Sequence, residues 1–231
     1  MKSFCFTFLL CRCMCLIVFS YKTHPKYPFI LAANRDEFYE RPTAPLHRWD
    51  TDPPLIGGKD EKAGGTWLGL TPDGRVGFLT NYRKMSESKN QAPSRGHLVT
   101  DILLSDDQPR KKIYELQKRS EKYNGFNLIS GYANNLLYIS NRLHGVHKIK
   151  PGLHGISNAL LNTSWPKTDR AKGSFEELLK ADEPDESEIF NMLRDEKQFP
   201  PDQLPDTGLS HEMEKAVSSI FIQTPEYGTR C

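Results

Sequence analysis

Four of the five cysteines fall within the first fifteen residues, at Cys5, Cys11, Cys13 and Cys15, and the fifth, Cys231, is the last residue. Thiols form disulfides, bind soft metals or act as nucleophiles, and their spacing bears on which. A disulfide framework distributes its cysteines so as to close loops through the fold. Residues 16–230 contain none, so the body reads as that of a cytoplasmic protein. Cys11-x-Cys13-x-Cys15 has a soft-metal spacing, but no Cys or His cluster stands nearby to complete a ligand set, and no metal site is expected. Cys15 differs from the other thiols in following Met14: a chain that started at Met14 and lost it would carry Cys15 at its N-terminus. Residues 1–13 imitate a short signal peptide, with Lys2 ahead of an apolar middle, yet Arg12 interrupts the run and no small-x-small cleavage site follows. The expectation is that 1–13 are an upstream extension or a misassigned start.

Three other groups could carry chemistry. Asn34-Arg35-Asp36-Glu37 follows directly on the apolar run 29–33. An Arg–Asp pair at a strand end can hold a nucleophile and lower its pKa, or can simply be solvated loop charge, and spacing leaves both open. The glycines from Gly57-Gly58 to Gly64-Gly65-Thr66-Trp67-Leu68-Gly69 lack the GK[ST] of a phosphate loop, and read as turn glycines flanking a strand whose Trp67 packs into the core. His144 and His147 are three apart, which on a strand places them on opposite faces; with His154 they read as solvent-facing loop histidines rather than ligands.

The elements that must position these residues follow from composition and periodicity. Lys plus Arg number 31 against 29 for Asp plus Glu in 231 residues, a net charge of +2 that gives no footprint for nucleic acid. Mean hydropathy is −0.59, and no run approaches the about 18 apolar residues of a membrane span. Short apolar, β-rich runs at 15–20 and 28–33 are joined by a hairpin connection, and 34–52 reads as a polar loop. Pro72-Asp73-Gly74 between 64–71 and 75–81 is a strong hairpin signal. Helical periodicity covers 94–104 and 109–120, strands resume at 126–131 and 136–140 with weaker ones at 146–149 and 155–158, and helices return at 168–180 and 185–194. Prolines make 196–210 a loop, and a last strand fits 217–224. Strands, helices, strands, helices, strand is the order of an α+β fold with antiparallel sheets in one domain.

Seven blocks carry a specific resemblance: Met14-Cys15-Leu16-Ile17, Leu31-Ala32-Ala33-Asn34-Arg35-Asp36-Glu37-Phe38, Gly64-Gly65-Thr66-Trp67-Leu68-Gly69, Leu79-Thr80-Asn81-Tyr82, Tyr123-Asn124-Gly125-Phe126-Asn127-Leu128, Gly155-Ile156-Ser157-Asn158-Ala159-Leu160 and Tyr227-Gly228-Thr229-Arg230. In this order they resemble the NRDE family, which includes the transport and Golgi organisation protein 2 homologues. The resemblance implies an αββα sandwich of two antiparallel sheets flanked by helices, related to N-terminal-nucleophile hydrolases, with Cys15 at the nucleophile position. It links the chain to secretory-pathway organisation and to intracellular haem trafficking. By looser analogy with N-terminal-cysteine amidases, which use an Arg, an Asp and two Asn residues beside the nucleophile, it groups Cys15, Arg35, Asp36, Asn81, Asn158 and Arg230.

Those residue types suit amide hydrolysis through a thioester. A free α-amino group titrates near ~8 and can take the proton of a thiol of pKa about 8.5, so one residue supplies nucleophile and base. Arg35 would favour the thiolate, Asp36 would orient Arg35 or the ammonium, and Asn81 and Asn158 would donate to a tetrahedral oxyanion. With residues 1–14 attached, the Cys15 nitrogen is an amide and no base. Family members continue past Tyr-Gly-Thr-Arg with further strands, so a chain ending at Cys231 is expected to be truncated there and to leave an unpaired sheet edge. Two functions stay open: an amidohydrolase acting on a C–N amide bond through Cys15, and a non-enzymatic carrier or trafficking factor holding haem or another hydrophobic small molecule. Either implies a small-molecule substrate or cargo, with no resident cofactor, no nucleic acid and no transmembrane segment.

Overall fold

Alternation of side chains along the first strand sets the layering. In the computed structural model, which describes residues 14–87, 89 and 91–231, strand β1 spans Met14–Tyr21. Ile17, Phe19 and Tyr21 face one way, into a core shared with Val76, Phe78, Ile129 and Tyr138; Leu16 and Val18 face the other, against Ala171, Phe175, Met192 and Leu193. A strand buried on both faces in this manner lies at the centre of a stack.

The remaining elements are β2 Phe29–Phe38, β3 Thr43–Arg48, β4 Ile56–Asp60, β5 Leu68–Leu70, β6 Arg75–Asn81, α1 Gly96–Leu103, α2 Pro109–Arg119, β7 Phe126–Tyr132, β8 Asn135–Ser140, β9 Leu143–Lys148, β10 Gly152–Ile156, α3 Pro166–Leu178, α4 Glu186–Leu193, α5 His211–Ala216 and β11 Tyr227–Thr229. They form two antiparallel sheets, one in the order β10-β1-β2-β11 and one in the order β3-β4-β5-β6-β7-β8-β9. The sheets face each other across the Phe19 core. Helices α3 and α4 cover the smaller sheet, while α1 and α2 cover the larger through Leu98, Val99, Ile102, Leu103, Ile113 and Leu116. The expected α+β sandwich of antiparallel sheets and helices is what the chain forms.

Several local expectations need correction. Residues 34–38 continue β2 instead of opening a loop, and 43–48 form the edge strand β3. The reason lies in distant partners: the Asn34 side-chain amide donates to the carbonyls of Leu193 (2.8 Å) and Ile220 (2.9 Å), which turns a polar residue into a buried strand residue. Gly57 and Gly58 lie inside β4, where a Cβ on Gly57 would stand 2.7 Å from the Leu68 carbonyl oxygen. Residues 217–224 are not a strand. Helix α5, capped by the Ser210 hydroxyl at the Met213 amide, precedes them, and Val217, Ile220 and Ile222 fill the core from irregular backbone. His144 and His147 lie exposed on β9, whereas His154 is buried on β10 with its ring stacked 4.9 Å from Phe19. Cys5, Cys11, Cys13 and the rest of 1–13 lie outside the described residues.

Candidate functional site

Register brings the site together. In the β1–β2 ladder Cys15 stands directly opposite Arg35, and directly opposed residues share a face of the sheet. That face opens on a cavity of about 160 Å³ walled by Cys15, Arg35, Thr66, Trp67, Asn81 and Arg95 among others. Trp67, expected in the core, is instead a half-buried wall of this cavity, with the Arg35 guanidinium 4.3 Å above its ring.

Arg35 and Asp36 are neighbours in sequence, but on a strand successive side chains leave opposite faces. The buried partner of Arg35 is therefore Glu37, two residues on, with Nη2 to Oε2 at 3.3 Å. Arg35 Nη1 also donates to the Thr43 hydroxyl (3.2 Å). Glu37 is shared with Arg41, which pairs in turn with Asp60 at 2.7 Å. Asp36 turns towards the helix layer: its Oδ1 accepts from the Thr229 hydroxyl at 2.5 Å, and its buried Oδ2 has no hydrogen-bond partner among the described residues. Burial pushes the Asp36 carboxyl up to about 6, against the opposing pull of Lys167, the Thr229 hydroxyl and Arg35.

The Cys15 thiol is held neutral. Burial first, then the negative charge of Asp36, push it up to about 12, although the Asp36 backbone N–H and the Arg35 charge pull the other way. The Cys15 carbonyl accepts from the Ser157 hydroxyl (2.9 Å), which ties β1 to the turn after β10.

The two asparagines meet without sharing a cavity. Asn81 lines the Cys15 cavity at the end of β6, and its carbonyl accepts from the Asn158 amide at 3.1 Å. Asn158 faces a second, larger cavity of about 580 Å³, together with Tyr82, Arg83, Leu160, Trp165 and Thr207. Arg230 stands apart from both: its guanidinium donates to the carbonyls of Phe38 (3.1 Å) and Tyr39 (2.6 Å), while its backbone N–H bonds the Arg35 carbonyl (2.8 Å).

One buried group was not anticipated. Lys167, in the first turn of α3, is 3% exposed, and its Nζ donates to the Val217 carbonyl at 3.1 Å. Burial pulls it down to about 8, against the charge of Asp36, which holds it up. A single lysine after a proline gives no signal in a sequence, whereas Glu37, two residues from Arg35, could have been found had 34–38 been read as a continuation of the strand. No group of three or more His, Cys, Asp or Glu residues suited to a metal occurs among the described residues.

The sequence model for Transport and Golgi organisation 2 matches residues 14–231. The chain belongs to the Transport and Golgi organisation 2 family. It is 33% identical over 242 residues to the Transport and Golgi organization 2 homolog of Mus musculus, covering 94% of this chain and 86% of the mouse protein. Identity to the Homo sapiens homolog is 34% over 238 residues with the same coverage, and to the Drosophila melanogaster protein 28% over 242 residues, covering 94% and 85%. For this member of the family, the site amounts to a neutral buried thiol on a cavity wall with a guanidinium opposite it and a carboxylate on the reverse face. No helix among the described residues is long and apolar enough to cross a membrane.

Proposed function

We propose that this Transport and Golgi organisation 2 family member cleaves an amide C–N bond of a small molecule through Cys15, and does so only when Cys15 is the first residue. The observation that carries the reading is the Cys15–Arg35 pairing on the wall of the 160 Å³ cavity. With residue 14 attached, the thiol at about 12 has no adjacent base and is inert. Removing Met14 frees an amine that takes the thiol proton. The sulfur then attacks the carbonyl carbon, the C–N bond breaks, and the leaving amine departs with that proton. Water hydrolyses the thioester to a carboxylic acid and restores the thiol. Arg35 stabilises the thiolate, and Asn81, which lines the same cavity whereas Asn158 does not, donates to the developing oxyanion. Cytoplasmic residence belongs to the same reading, supported by the free Cys15 thiol.

Intact mass combined with iodoacetamide labelling tests it. Protein beginning at Cys15 should label at Cys15 at least tenfold faster than protein retaining Met14, Arg35→Ala should remove most of that difference, and Cys15→Ala should remove that label while leaving the one at the exposed Cys231. Equal labelling rates with and without Met14 would overturn the reading. A second reading, carriage of haem or another hydrophobic small molecule, is favoured by the 580 Å³ cavity beside Trp165 and Arg83, whose volume falls within the roughly 300–1,000 Å³ of ordinary ligand pockets.

A further inference from the structure

We infer that Lys167 is a positioning residue of the Cys15 site: from behind the four-stranded sheet its ammonium holds Asp36 as a carboxylate and so sets the proton balance at Cys15. The inference rests on the Cys15 reading above and names a residue that the resemblance to amidases does not supply. It stands on a cluster of buried groups. Pro166 opens α3, where its missing N–H costs nothing, and the next residue is turned beneath the sheet with Thr168, Ala171 and Phe175. An ammonium has three donors, and the hydrogen bond at Lys167 goes to a single backbone carbonyl, that of Val217.

The ionisable groups near Lys167 are Asp36 on β2, the neutral Cys15 thiol on β1, Arg83 after β6 and Glu214 on α5. Arg83 and Glu214 pair with each other at 2.9 Å, both buried. That leaves Asp36 as the anion unmatched by a cation of its own. Asp36 for its part is influenced by Lys167 and the Thr229 hydroxyl, and across the strand by Arg35 and Glu37, which are paired to each other on the reverse face. Its Oδ2 is fully buried without a hydrogen bond among the described residues. A buried carboxylate in that condition keeps its charge only where an opposite charge lies near it. Burial raises the Cys15 thiol first and the Asp36 charge adds to it, so a change at the Asp36 proton is felt at the thiol.

The test follows the Asp36 carboxyl carbon by ¹³C NMR titration of the full chain, alongside the pH profile of Cys15 labelling in protein beginning at Cys15. Lys167→Met should raise the Asp36 midpoint by at least one pH unit, a tenfold change in proton affinity, and displace the labelling profile. Lys167→Arg should restore both. An Asp36 midpoint that does not move in Lys167→Met overturns the inference and leaves the Cys15 reading standing. Equal labelling with and without Met14 sinks that reading whatever Lys167 does. Should Lys167→Met fail to fold, the double variant Lys167→Met/Asp36→Asn decides. Removing both charges together should recover folding if the two groups are partners. A double variant no more stable than Lys167→Met would also overturn the inference.

Discussion

At the scale of single residues, the site is governed by which charges are buried and which of them find a partner. Arg35 and Glu37 neutralise each other inside the fold, at 3% and 1% side-chain exposure. Asp36 is different, because folding raises its pKa from 3.8 to about 6. A raised carboxyl means that the native state favours the acid form. That contribution is fully present below about pH 4 and is lost as pH rises through about 6. At about 1.4 kcal/mol per unit, the loss is on the order of 3 kcal/mol. Asp36→Asn should therefore flatten the fall in stability between pH 4 and 6 relative to the unaltered protein, as read by urea denaturation at a series of pH values. Parallel pH curves for the two proteins would show that Asp36 is not held in this state.

At the scale of elements, close backbone approach decides which substitutions the cavity tolerates. The segment leading into β5 lies against the start of α1: a Cβ on Gly65 would stand 2.5 Å from the Gly96 carbonyl carbon and 2.8 Å from the His97 amide nitrogen. Gly96 and Thr66 both line the Cys15 cavity, so this contact also fixes the cavity wall. Gly65→Ala should cost about 1–3 kcal/mol by overpacking and slow Cys15 labelling in protein beginning at Cys15. Gly173, inside α3 with nothing within 4 Å of an added Cβ, is the control. There alanine should add up to about 1 kcal/mol, since glycine is the poorer helix former. Chemical denaturation midpoints of the two variants should shift in opposite directions.

Whole-molecule organisation places both cavities where connections meet at the ends of the stacked layers. The larger one is walled by the segment after β6, by the turn between β10 and α3 and by residues 205–208, with the Asn158–Asn81 hydrogen bond linking its wall to that of the Cys15 cavity. Ligands are held at such places because loops are free to vary while the sheets hold them in position. If this cavity carries a hydrophobic cargo, a haem titration followed by absorbance should saturate, weaken at least tenfold in Trp165→Ala and remain unchanged in Cys15→Ala. Loss of binding in Cys15→Ala with Trp165→Ala unaffected would place the cargo elsewhere.

Much of this architecture was legible from the chain alone. The apolar β-rich run at 15–20, the Pro72-Asp73-Gly74 turn and the apolar faces of 94–104 and 109–120 act through neighbours in sequence, and those elements form where the sequence puts them. The hairpin of the first two runs was legible too, but the pairing of Cys15 with Arg35 was not, because Arg35 fell in the expected loop 34–52. What the sequence left open depended on partners far along the chain. Asn34 through Glu37 became strand because the carbonyls of Leu193 and Ile220 and the β11 backbone meet them there. That strand, in turn, put Arg35 and Asp36 on opposite faces and gave Arg35 to Glu37. Lys167 entered the site for the same reason, since burial of a charge is a property of the packed helix layer and not of the residues beside it.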